Sequence, residues 1–367
     1  FPGHKDIRSG EQWFKMNKAR NFEEFESALK MQALPLFNVI YADVDHNILL
    51  HSGGMVPLRD PDLEWEVPMT KTDAKYLPNE IVPYEDMPTL LNPECGFVYN
   101  ANNTPLHATG DKCEWSEYFP GCQLFEYNRG ERFKAMLEGH KDKFTWEDFH
   151  CIKFDKSYAD TGSYMNHFKA LYTLDEEKYP HISKSIKKLR NWNLSGEKDN
   201  KNAALALVVH EELRKEVNAP FAFLMIRKQK VSEEQALRAV EKAQEFLLKT
   251  HGTLDIELGQ VQRHIRGDVS IPASGLREVP RAADPSLHDK KKGIFRVEKG
   301  DGYIQMVKYS KDGGAEIQSI NAYGASSRED SPHYTDQMQM FQNEEFKEMT
   351  FKKQEIIDAA EAVYHPE

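Results

Sequence analysis

Apolar positions along the chain keep two periods, and the switches between them divide it into parts. Trp13, Met16, Phe22, Phe25 and Leu29 recur at helical spacing. Asn21 with Glu24 three residues on reads as a capping box that starts a second helix. A strand pair is predicted next, over 37–43 and 47–51, turned through Val44, Asp45 and His46. Helical spacing returns near 129–139, 145–156, 181–192, 202–217 and 232–250, with a polar break at 195–201. The last of these is bounded by its own chemistry: Ser232 and Gln235 as a cap, Leu237, Val240 and Leu247 on one face, Gly252 as a stop. Then the period falls to two. Residues 293–299, 303–309 and 316–322 read as three antiparallel strands joined by turns at 300–302 and 311–314. A helix near 352–363 closes the pattern.

Two stretches break it. Residues 52–98 hold seven of the 18 prolines, four of them evenly spaced at Pro78, Pro83, Pro88 and Pro93. Proline fixes φ and removes a donor, so a long extended loop over a core is expected there. Residues 272–292 carry three prolines and Lys290, Lys291 and Lys292, and read as a second loop with a solvated turn. Strands at both ends of a helical middle suggest an α+β fold whose sheet is shared between distant segments.

Composition narrows the class. The 367 residues are 40% hydrophobic and 29% charged, which fits a soluble globular protein of two or three domains or one large one. A net charge of −11 disfavours nucleic acid and anionic membrane as partners, because both are held through Lys and Arg. No apolar run approaches the length of a membrane span. The first residue is Phe1 and no signal peptide is visible, so a processed chain or a fragment is expected. Four cysteines form no CxxC pair, and little supports a zinc or redox site. Cys113 and Cys122 are close enough for a short-loop disulfide in an oxidising compartment. That Cys95, Cys113, Cys122 and Cys151 are independent thiols remains equally open.

Candidate chemistry is sparse. Asp43, Asp45 and Asn47 begin like a calcium loop, but Ile48 and Gly54 stand where Gly and Glu are required, so a polar hairpin turn is the better reading. His210-Glu211-Glu212 lacks the second histidine of a zincin helix, since Arg214 occupies that place, and is expected to face solvent. Ser326, Ser331, His333 and Asp336 offer triad residue types within a few positions. No G-x-S-x-G elbow is present, and a turn held by its own side chains is favoured. The stretch Gly96–Pro105 is richer. Asn100, Asn102 and Asn103 follow a short apolar strand, and asparagine amides are the donors a developing oxyanion needs, although an Asx-turn explains them too.

Taken in order, several segments resemble the penicillin acylase family of N-terminal-nucleophile hydrolases. They are Gln12-Trp13 with Ala19–Asn21, Phe37–Asp43 with Asn47-Ile48, Gly54–Arg59, Asn92-Pro93 and Gly96 leading into Asn100–Pro105, Arg129 with Arg132, and Tyr323-Gly324 with Ser331–Gln337. The resemblance runs from about residue 12 to 364. It implies part of an αββα sandwich with a helical insert at about 129–260 and sheet segments at about 37–51 and 293–322. The whole of 1–367 would then be the C-terminal portion of a large β subunit. It implies that Asn102 donates to the oxyanion and that Arg129 supports that asparagine, with Arg132 and Asn103 as further candidates. The reaction implied is removal of an acyl chain from an N-acylated small molecule through an acyl-enzyme. Acyl-homoserine lactones, lipopeptides and β-lactam side chains are the substrate types, in a periplasmic or secreted setting. The family nucleophile is an N-terminal serine. The chain begins Phe1-Pro2-Gly3, so the nucleophile is expected outside it, on a missing segment accompanied by a small α subunit, and the chain alone is expected to be inactive. The family calcium site draws on that segment, and no metal ligand or other cofactor is assigned. The alternatives are a non-catalytic remnant that binds acyl ligands and a serine hydrolase using Ser326 or Ser331.

Overall fold

The computed structural model describes residues 6–60, 80–109, 127–140, 142–216, 230–310 and 313–364. They cluster into two compact units: Phe1–Glu126 with Leu137–Gly139, and Tyr127–Met136 with His140–Glu367.

The first unit opens with α1 (Ser9–Lys18) and α2 (Phe22–Leu29). Asn21 Oδ1 accepts from the Glu24 amide at 2.8 Å, which is one half of the expected capping box. The Glu24 carboxylate turns one residue further back and accepts from the Arg20 N–H at 3.0 Å. Strands β1 (Phe37–Ala42) and β2 (Ile48–Gly53) pair antiparallel, and β3 (Thr89–Leu91) joins the other edge of β2. The proline-rich stretch thus contributes a strand, because Pro88 and Pro93 flank the ladder and remove no hydrogen bond from it. Leu49 of β2 packs with Leu29 and Tyr84, joined by Met16, Phe22 and Phe25 of the two helices. Residues 61–79, including Pro78, lie outside the described residues.

The second unit supplies α3 (Asn128–Gly139), α4 (Trp146–Lys153), α5 (Ser163–Tyr172), α6 (Ser183–Arg190), α7 (Lys201–Glu216), α8 (Glu233–His251) and the short α9 (Leu258–Val261). All but α5 and α9 lie where the spacing predicts. Helix α8 starts on the full Ser232–Gln235 capping box and stops at Gly252, whose φ is 71°. Helix α7 is the centre of the core. Every residue from Ala203 to Val209 is buried, so it has no solvent face over two turns. This corrects the solvent-facing reading of His210-Glu211-Glu212. A helix walled on all sides makes polar residues find internal partners. The His210 Nε2 lies 2.7 Å from the Tyr164 hydroxyl, with the rings of Tyr158, Phe168 and Trp192 around it. Glu211 pairs with Arg277 at 3.0 Å and with Arg214 at 2.9 Å.

Beyond α9 come β4 (Gln262–Arg266), β5 (Val269–Pro272), β6 (Ala283–Asp289), β7 (Ile294–Gly300), β8 (Tyr303–Tyr309), β9 (Ala315–Asn321), α10 (Met338–Asn343), β10 (Lys347–Met349) and α11 (Lys353–Asp358). Two expectations fail here. The loop expected over 272–292 contains β6. Pro285 is tolerated because β6 is an edge strand, with register shifts at that point. The expected three-strand run is also split. Strand β7 pairs with β6 and, in parallel, with β4, whereas β8 and β9 form a sheet with β10. Gly300 makes the switch: its φ is 139°, and a Cβ there would stand 2.2 Å from the Ala282 carbonyl oxygen. Among the described residues the strands run in the orders β1-β2-β3, β10-β9-β8 and β5-β4-β7-β6.

Two outcomes are expected. Ser232→Ala removes one half of the α8 cap and lowers unfolding free energy by about 1 kcal/mol in urea denaturation. Burial, with the Arg277 charge nearby, pushes the His210 imidazole down to about 4. In the unfolded chain the same group titrates near about 6.5 and takes up its proton first. Stability is therefore full above that value and lost as pH falls toward about 4. In urea midpoints measured across that window, His210→Gln is expected to show a shallower acid slope than the parent.

Candidate functional site

The asparagine-rich segment of the first unit is built outward from the β1–β2 turn. Asp43 Oδ1 accepts from the Asp45 and Asn47 amides at 3.0 and 2.9 Å, and Oδ2 accepts from the Tyr41 hydroxyl and the Asn47 amide group. Both carboxylate oxygens are occupied by the turn itself. Asn92, at φ 50°, ties the next segment to it. Its Oδ1 accepts from the Ile48 N–H at 2.8 Å and its Nδ2 donates to Asn47 Oδ1 at 3.1 Å. A turn through Gly96, whose amide donates to Pro93 O, then leads into the loop, and the Tyr99 N–H donates to Ala108 O across it.

Within this loop the three asparagines do different work. Asn103 is buried; its Oδ1 accepts from the Ala101 N–H at 2.7 Å and its Nδ2 donates to Thr104 O at 3.1 Å. It pins the backbone on both sides of Asn102. Asn102 is exposed at φ 63°, a left-handed conformation that asparagine tolerates better than most residues. Its N–H donates to Asn100 Oδ1 at 3.3 Å. The Asn100 Nδ2 is buried and makes no hydrogen bond among the described residues. Thr104 caps the following turn at Pro105–His107. The loop therefore fixes its own backbone through local hydrogen bonds and leaves Asn102 as its exposed asparagine, the residue type whose amide can stabilise an oxyanion.

The arginine candidates belong to the second unit, at the start of α3. Arg129 Nε donates to Glu278 Oε2 at 3.2 Å. Arg132 makes a two-pronged pair with Asp155 at 2.9 and 2.8 Å, and that bond holds its guanidinium more firmly protonated. Asn128, fully buried, was not singled out from the sequence. It donates to Glu278 O at 2.6 Å and accepts from the Ala159 N–H at 2.8 Å. Glu278, at φ 56°, is thus gripped by neighbouring residues of one helix, at its carbonyl by Asn128 and at its carboxylate by Arg129. The only local sign was an asparagine directly before the arginine at a helix start.

The serine–histidine–aspartate cluster forms no relay. His333 Nδ1 meets Asp336 Oδ2 at 2.8 Å, which raises the imidazole's affinity for a proton. The Ser331 hydroxyl accepts from the His333 N–H and the Ser326 hydroxyl from the Arg328 N–H, so both serines serve the turn. Cys151 is an exposed free thiol, and Cys95 Sγ lies 3.3 Å from Phe97 O. Cys113 and Cys122 lie outside the described residues. No helix among the described residues is long and apolar enough to cross a membrane.

Comparison with known proteins agrees with this order of segments. Penicillin G acylase of Escherichia coli is 33% identical over 101 residues, a match that takes in 28% of this chain and only 12% of that relative's own length. The solved structure of a thermostable penicillin G acylase from Alcaligenes faecalis superposes with a TM-score of 0.58 at 18% identity, covering 98% of this chain and 72% of that one. That likeness establishes the mixed helix-and-sheet fold as the penicillin acylase type, an N-terminal-nucleophile hydrolase fold. The family described as penicillin amidase matches residues 2–358, nearly the whole chain, and this protein belongs to it.

Proposed function

We propose that this chain supplies the oxyanion-stabilising part of an enzyme that hydrolyses linear amides of N-acylated small molecules. The observation that carries the reading is Asn102: an exposed asparagine in a left-handed conformation, pinned from behind by Asn103, in a chain of the penicillin amidase family. In this reading a nucleophile attacks the acyl carbonyl and the developing oxyanion takes the Asn102 amide. Collapse of that intermediate breaks the C–N bond and expels the amine with a proton, and water then hydrolyses the acyl-enzyme to the free acid and the regenerated nucleophile. The nucleophile and a small α subunit come from partner segments, in a periplasmic or secreted enzyme. The relatives named above act as penicillin G acylases, which makes β-lactam side-chain amides one substrate type. Acyl-homoserine lactones and acylated lipopeptides are the others. Arg129, which donates to Glu278, is the first arginine candidate for a supporting role in catalysis. Arg132 is the second candidate, and its pairing with Asp155 favours a structural role.

The test is an assay of the assembled enzyme against a panel of those N-acyl amides. Asn102→Ala is expected to lower kcat by about 10²–10³ with little change in KM. Retention of full activity would remove Asn102 from the site, and no activity across the panel with the unmutated enzyme would favour a non-catalytic acyl-binding protein. The backbone makes a separate demand: Asn102→Ala is expected to cost about 1 kcal/mol of stability while Asn102→Gly costs little, as denaturant melts would show. Between the arginines, Arg129→Lys is expected to reduce kcat at an unchanged melting temperature. Arg132→Lys, which loses a planar two-pronged pair, is expected to lower the melting temperature first.

A further inference from the structure

Where β7 leaves its sheet at Gly300, a cleft of about 90 Å³ opens between β4, the 300–302 switch and α10. At roughly 10–15 Å³ of such space per water, it has room for about half a dozen waters or an anion of similar size. Two of its lining side chains, His264 and Arg281, are almost wholly buried, at 2% and 3% exposure.

A chain of hydrogen bonds decides what His264 presents. The Ser274 N–H, which only donates, is 3.2 Å from Gln342 Oε1. Gln342 therefore turns its Nε2 toward His264 Nδ1, also at 3.2 Å. Nδ1 is then the acceptor, and the ring proton sits on Nε2. That Nε2–H has no hydrogen-bond partner among the described residues. Burial, with Arg281 and Arg296 nearby, pushes this imidazole down to about 4, so at neutral pH it is an uncharged donor.

Arg281 is a buried cation with incomplete partners. Its guanidinium stacks on Phe341 at 3.9 Å. Its two hydrogen bonds, to Asp301 Oδ2 at 3.5 Å and to Phe341 O at 3.4 Å, are both long. The same Asp301 oxygen is already held by Lys153 at 2.9 Å. One carboxylate thus serves two cations. Glu298 and Lys299, also in the lining, offset each other, and Glu344 acts on Arg281 from farther away.

We infer that this cleft binds a small carboxylate monoanion, its oxygens taken by the Arg281 guanidinium and the His264 Nε2–H. Asp301, shared with Lys153, already meets part of the Arg281 charge, which leaves room for a monoanion rather than a dianion such as phosphate. The planar fork of an arginine stacked on Phe341 suits a flat carboxylate.

The experiment follows the His264 ring signals by NMR while sodium acetate is added to the protein, with sodium chloride and sodium phosphate at matched ionic strength as controls. Acetate is expected to shift the His264 signals along a saturating curve, and neither control is expected to do so. Arg281→Met is expected to weaken that response at least about tenfold. If that variant does not fold, His264→Gln is read by acetate-dependent melting, and the rise in melting temperature seen with the parent should be lost. The inference is overturned if acetate moves the parent's signals no more than chloride does. It is equally overturned if chloride or phosphate saturates the same shift, or if a folded Arg281→Met protein binds acetate unchanged.

Discussion

The second unit depends on one constraint: helix α7 is buried on every side from Ala203 to Val209. His210 and Glu211, which follow directly on that stretch, need internal partners, and the surrounding elements supply them. Tyr164 of α5 receives His210, and Arg277 receives Glu211. Arg277 also pairs with Asp284 and donates to the Pro285 carbonyl, so the same contact fixes the start of β6. The core helix and the sheet are joined through a charge pair rather than through apolar packing alone. Breaking one partner of such a pair leaves the other buried and uncompensated.

A second consequence follows at the 300–302 switch. Gly300 lets the chain leave the β7 ladder, and Asp301 is delivered to Lys153 and Arg281 instead of continuing a hairpin. The loss of a regular turn is offset by a buried ion cluster. That cluster leaves Arg281 with two long hydrogen bonds beside a cleft.

The asparagine loop follows a different logic. Its rigidity is local: Asn92 ties it to the β1–β2 turn, Asn103 bonds both of its flanks, and Thr104 starts the next turn. This is why the loop was legible from its residues, since asparagine and threonine make their characteristic bonds to backbone within a few positions. The support of Arg129 was less legible. Its carboxylate, Glu278, lies 149 positions away, and no spacing rule links the two. Asn128 was missed for the same reason, because both of its bonds reach distant backbone.

What the sequence determined by itself was whatever closes within one or two turns of chain. The α8 boundaries at Ser232, Gln235 and Gly252, the polar turn at Asp43 and Asn47, and the ordered motifs of the penicillin amidase family all belong to this class. Tertiary structure decided the questions of partnership. It assigned β7 to β6 and β4 rather than to β8, turned a proline-bearing loop into the edge strand β6, and buried His210 where a polar triplet promised solvent. The physical reason is common to all three. A strand has two edges and a helix several faces, and which of them are covered depends on segments far away in the chain, whereas a cap or a turn carries its partners with it.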